Sequence, residues 1–125
     1  MVVRGIRWIG VATERYAAMR SFALDVLGLT LVGEDGEFLE STAANGDKLE
    51  IFGPSGPRPA YQFGAAPVVV GFLVDDIEAA RNELAASPGV ELLGELEVME
   101  DGYAWQHFRA PDGLVYELTF DPRAP

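Results

Sequence analysis

An internal duplication constrains the fold of this chain more than its composition does. Shifting the sequence by 61 residues aligns Gly10 with Gly71, Ala18 with Ala79, Arg20 with Arg81 and Gly28 with Gly89. The run Leu31, Gly33, Glu34 then meets Leu92, Gly94, Glu95 without a gap. Further on, Leu49-Glu50-Ile51-Phe52 answers Tyr116-Glu117-Leu118-Thr119 at an offset of 67, as a longer hairpin loop in the second copy would produce. Two copies are too few to stack as a solenoid, so the repeat predicts one pseudo-symmetric domain with a site between its halves.

Each copy reads as βαβββ. In the first, residues 6–13 form a strand, and the helix after it carries Met19, Phe22, Ala23 and Val26 at i, i+3, i+4 and i+7, which predicts that these four face the core. Gly28 then serves as the glycine just past the helix end. Strands near 30–34, 37–42 and 48–52 follow, with Asp35-Gly36 and Asn45-Gly46 as turn pairs. The second copy opens on a strand at 68–74 and a helix entered at Asp75, with Glu78 three residues on as a capping box, and Pro88-Gly89 stops it. Strands near 90–98, 103–109 and 114–120 complete it. Residues 53–67 hold four of the eight prolines and read as a linker crossing from one sheet to the other. The expected organisation is a single α+β domain, with module 1 at about 5–52 and module 2 at about 68–121.

Composition bounds the function. A chain of 125 residues buries about 65% of the surface its unfolded form exposes, and an apolar fraction of 49% can supply that core. Without cysteine there is no disulfide framework and no thiolate metal site, as suits a reducing compartment. The opening MVVRGIRW shows no secretory apolar region, and the apolar run at 66–74 is far short of the ~20 residues that cross a bilayer, so a soluble cytoplasmic protein is expected. A net charge of −11, from 20 acidic and 9 basic residues, repels nucleic acid and anionic membranes and favours a cationic small-molecule ligand.

Strand alternation decides which side chains meet. If Pro111-Asp112-Gly113 is a three-residue hairpin loop with glycine in the left-handed position, His107 lies opposite Glu117 and Trp105 opposite Thr119, all on one face. A two-residue turn would put Gln106 and Phe108 on that face instead.

The paired βαβββ units, the helix end Asp25-Val26-Leu27-Gly28-Leu29, the segment Gly71-Phe72-Leu73-Val74-Asp75-Asp76-Ile77 and the closing run from Phe108 to Leu118 resemble the vicinal oxygen chelate superfamily. That group includes glyoxalase I, extradiol dioxygenases, fosfomycin-resistance enzymes and bleomycin-resistance proteins. The resemblance implies curved mixed sheets around a barrel-like cavity with helices outside, and a homodimer. In metal-dependent members the ligands come from the first and last strands of each unit, positions that are here Trp8, Glu50, Val69 and Glu117. Trp8 and Val69 offer no lone pair to a metal, so no metal cofactor is expected; were one present, Glu50 and Glu117 would hold it.

Three readings of Glu50 and Glu117 stay open: carboxylates satisfied by neighbouring groups, anchors for a ligand's ammonium or guanidinium, or one of them working with His107 as general base and acid. His107 and Glu117 are therefore the candidate catalytic residues. The resemblance also places His107 at a position that belongs to the substrate pocket in fosfomycin-resistance relatives. Trp8, Tyr103 and Trp105 supply aromatic surface, with Tyr61 and Phe63 in the linker as a cover. The expected ligand-binding set is Trp8, Glu50, Val69, Tyr103, Trp105, His107 and Glu117. The expected function is metal-independent binding of an aromatic or cationic small molecule. The alternatives are a metal-dependent glyoxalase-like lyase, isomerase or dioxygenase using Glu50 and Glu117, and a structural or regulatory domain with a vestigial cavity.

Overall fold

The computed structural model describes residues 1–125. The eight strands are β1 (Gly5–Ala12), β2 (Thr30–Asp35), β3 (Phe38–Thr42), β4 (Lys48–Phe52), β5 (Val68–Leu73), β6 (Glu91–Val98), β7 (Ala104–Arg109) and β8 (Val115–Phe120). The helices are α1 (Tyr16–Ser21) and α2 (Ile77–Ala85). Both copies are thus βαβββ, as the duplication predicts.

The strands form one sheet rather than two, in the order β2-β3-β4-β1-β5-β8-β7-β6. Each half runs from an edge inward, β1 pairs parallel to β4 and β5 parallel to β8, and the halves join through the antiparallel β1–β5 pair. The 53–67 linker therefore carries the chain over β1 within a single curved sheet, which is not closed into a barrel, and does not cross between sheets.

Period-two alternation separates three apolar clusters. Tyr16, Ala23, Leu39 and Ile51 pack beneath α1, and Val74, Ile77, Ala80, Ala104, Phe108 and Leu118 beneath α2. The third lies on the concave face, where Trp8, Phe52, Val69, Leu93 and Val115 meet with Phe38, Tyr61 and Phe63 against them. Each helix-covered cluster is the core of one module, and the third, drawn from both modules, joins them and floors the space between them.

Two local expectations need correction. Helix α1 passes into a π-helical turn over Phe22–Val26, which rotates the apolar stripe. Ala23 remains fully buried, but Phe22 is 45% and Val26 70% exposed, so neither reaches the core that i, i+3, i+4, i+7 spacing predicts for them. The second helix is capped by Asp76, whose carboxylate accepts a hydrogen bond from the Ala79 amide at 2.9 Å. Asp75 instead pairs with Arg4 at 2.7 Å, so the capping carboxylate sits one residue later than the Asp75/Glu78 spacing places it.

Candidate functional site

The closing hairpin sets the register of the site. Ala110 N–H donates to Leu114 O at 3.0 Å, Gly113 lies at φ +82°, and His107 pairs with Glu117 and Trp105 with Thr119. This is the three-residue loop, so His107 and Trp105 share the concave face. Gln106, on the other face, is fully buried, accepts from Arg81 Nε at 2.8 Å and donates to Leu93 O at 3.0 Å.

Two glycines bring the central strands close enough to shape the site. A Cβ on Gly10 would lie 2.4 Å from the Trp8 ring, so the indole lies along β1 over a residue that has no side chain. A Cβ on Gly71 would lie 2.6 Å from Thr119 Oγ1 and 3.2 Å from Glu117 Oε1. Gly10 and Gly71 are equivalent in the repeat, and each opens room for the residue that faces the cavity beside it.

A cavity of about 800 Å³ results, lined by Trp8, Glu50, Tyr103, Trp105, His107 and Glu117 among others. Six of the seven expected ligand-binding residues thus share one space. Val69 does not line it; it is buried beside Trp8 in the floor cluster. Of the linker aromatics, Tyr61 reaches the cavity and makes a T-shaped contact with His107, while Phe63 packs against Phe52.

The two glutamates differ in what surrounds them. Glu117 is 3% exposed; its Oε1 accepts from Thr119 Oγ1 at 2.7 Å and its Oε2 lies 3.2 Å from His107 Nε2. That approach is short enough for an ion pair but lies off the imidazole N–H direction, leaving Nε2 without a hydrogen bond of normal geometry. Glu50 has no salt-bridge partner, and the Lys48 charge acts on it only at longer range. Lys48, two residues along β4, turns to Glu40 at 3.9 Å and to the Tyr103 ring at 3.8 Å. Burial pushes the Glu50 carboxyl up to about 8, against the opposing influence of the Trp8 indole, and the charges of Glu40 and Glu117 push the same way.

Several lining residues escape the sequence reading. Glu40 lies directly opposite Glu50 in the β3–β4 pair, a neighbour that the Asn45-Gly46 hairpin would have revealed once its register was set. Glu97, Glu100 and Asp101 come from the end of β6 and the turn after it, and no periodicity marks them as cavity residues. Arg7 is also unanticipated. It sits at the β1–β5 register shift, is 6% exposed, and reaches Asp121 at 3.0 Å and Asp47 at 3.2 Å. Burial acts to raise the Asp121 carboxyl, but the Arg123 amide and the flanking guanidinium groups outweigh it and hold it below its ordinary range.

No three His, Cys, Asp or Glu side chains converge in a way that could hold a metal ion. At the four positions that the resemblance assigns to metal ligands stand an indole, an isopropyl group, Glu50, and a Glu117 whose two oxygens already face Thr119 and His107. No helix is long and apolar enough to cross a membrane.

No curated protein matches the sequence significantly. Among solved structures, a glyoxalase/bleomycin resistance protein/dioxygenase superfamily member from Vibrio splendidus 12B01 superposes with a TM-score of 0.66 at 21% identity, covering 94% of this chain and 100% of that one. The Mn(II)-bound glyoxalase from Novosphingobium aromaticivorans reaches a TM-score of 0.75 at 25% identity over 95% of this chain, which spans 39% of that protein. Methylmalonyl-CoA epimerase from Mycobacterium tuberculosis gives 0.65 at 17% identity, covering 94% of this chain and 88% of that one. The family model for the Glyoxalase/Bleomycin resistance protein/Dioxygenase superfamily matches residues 5–118, and with two βαβββ halves curving around one cavity, this chain belongs to that superfamily.

Proposed function

We propose that this protein is a metal-independent small-molecule binding protein of the bleomycin-resistance-like kind, taking an aromatic cation into the cavity between its modules. One observation carries the reading: Glu50 is a buried carboxyl with no ion-pair partner in an aromatic cavity, raised to about 8 by burial, and a bound cation would stabilise its ionised form. The lining around it holds the carboxylates of Glu40, Glu97, Glu100, Asp101 and Glu117 against only Lys48, Arg58 and Arg123. Burying an unpaired carboxylate is costly, and a ligand cation offsets that cost where the chain offers none. A volume of about 800 Å³ suits a ligand of drug-like size. The donor set does not fit the metal centre of metal-dependent members, which supports independence from metal. We place the protein in the cytoplasm, in keeping with its lack of cysteine. We also pair it as a homodimer through the apolar surface that the π-helical turn leaves open.

Titration with 9-aminoacridine, followed by tryptophan quenching and calorimetry, tests the reading. One-to-one binding is expected, unchanged by EDTA and weakened about tenfold or more by Glu50→Gln, the loss of one charge-assisted contact. A flat response across a panel of cationic aromatics would sink it, as would binding abolished by EDTA and restored by Mn²⁺ or Zn²⁺.

A second reading, acid–base turnover, is favoured by the Glu50 carboxyl near 8, which supplies both donor and acceptor populations at neutral pH across the cavity from His107 and Glu117. Exchange of a bound ligand's C–H hydrogens in D₂O, lost in Glu50→Gln, would replace sequestration by turnover.

A further inference from the structure

The cavity also carries information about which kind of cation it takes. Glu40 and Glu50 stand directly opposite each other in the β3–β4 pair and both line the cavity. Directly opposed side chains start about 5 Å apart at Cβ, and the Glu40 charge acts on the Glu50 carboxyl, with Lys48 Nζ 3.9 Å from Glu40 as the one cation near the pair. A further polar atom in the same wall has no partner, the Tyr103 hydroxyl, on a residue only 6% exposed. Burial, with the charges of Glu117, Glu50, Asp121 and Glu40, holds the Tyr103 hydroxyl protonated and its oxygen available as an acceptor.

The aromatic faces are less free than their number implies. Lys48 Nζ already sits 3.8 Å from the centre of the Tyr103 ring, and Trp8 and Tyr61 both meet His107 in T-shaped contacts. Buried polar atoms left unpaired call for hydrogen-bond partners rather than for charge alone. A quaternary ammonium brings charge and no donor; a primary ammonium or an amidinium brings both.

Resting on the cation-binding reading above, we propose that the site selects a cation bearing N–H donors, a primary ammonium or amidinium held between Glu40 and Glu50 with the Tyr103 hydroxyl as a further acceptor, over a quaternary ammonium.

Calorimetry with 2-naphthylmethylamine and (2-naphthylmethyl)trimethylammonium at pH 7.5 tests it. The primary amine is expected to bind about tenfold tighter or more, the worth of one or two added hydrogen bonds. Tyr103→Phe and Glu40→Gln, each checked for a cooperative thermal transition, should each narrow that ratio. Glu40→Gln, on a less buried residue, keeps the test intact should Tyr103→Phe not fold. Equal affinities, a tighter quaternary compound, or a ratio that survives both substitutions overturns the selection while leaving cation binding in place. Binding of neither compound overturns the selection together with the function on which it rests.

Discussion

Glu50 and Glu117 occupy equivalent last-strand positions of the two modules, yet the fold gives them different physics. Glu117 is tied to Thr119 at 2.7 Å and sits against His107, so its carboxylate belongs to the structure as much as to the site. Replacing it with Gln is expected to cost about 2 kcal/mol in urea denaturation, because a buried network loses its charged acceptor. Glu50→Gln should behave oppositely. The folded carboxyl is raised from 4.5 to about 8, so the folded state holds that proton more tightly than the unfolded chain does. The stability it contributes is complete below pH 4.5 and is lost as pH rises through about 8. Across that window the wild type should lose stability relative to Glu50→Gln by up to about 1.4 kcal/mol per pH unit, and the variant should be the more stable protein at pH 9. Parallel profiles for the two proteins would show that Glu50 titrates normally. The sequence brought both acids to attention as a pair; that Glu117 is satisfied internally depends on the Thr119 side chain turning to it and on Gly71 leaving room, which strand packing decides.

At the level of elements, the strands and turns were legible and the helices only in part. Turn chemistry places the hairpins because glycine tolerates the positive φ that a left-handed turn position requires, as at Gly36, Gly102 and Gly113. Apolar spacing misplaces the stripe of the first helix because it assumes a constant 3.6-residue turn, and the π-helical turn at Phe22–Val26 breaks that constancy. Helix entry depends on local geometry that adjacent acids do not distinguish: Asp75 and Asp76 are alike in sequence, but only Asp76 reaches the Ala79 amide. Asp76→Ala should therefore lower stability by about 1 kcal/mol. Asp75→Ala, which removes only an exposed pair with Arg4, should lie within about 0.5 kcal/mol of wild type by the same measurement.

For the whole molecule, the turn that upsets the helix phase has a consequence at the surface. Phe22, Val26 and Leu27 remain exposed, as do Ile6 and Val68 on the joined central strands, and such apolar area is what a stable pairing of two chains buries. Light scattering should give about twice 13.5 kDa, and Val26→Asp should return the protein to a monomer without loss of its thermal transition. A monomer at high concentration would refute the pairing. Whether His107 shares a face with Glu117 turns on the length of the closing hairpin loop, which the structure sets at three residues; the duplication, the alternation of apolar residues and the turn signals settle, from sequence alone, two βαβββ units with Glu50 and Glu117 at equivalent last-strand positions. These are local properties of the chain, and period and turn chemistry need no knowledge of what packs against them. Tertiary structure alone decided that the two halves share one continuous sheet, that Val69 lies in the floor while Glu97, Glu100 and Asp101 line the cavity, and that Arg7 is buried against Asp121. Curvature and strand order bring together residues far apart in the chain, and the energy of a buried charge depends on those distant neighbours and not on the residues beside it in sequence.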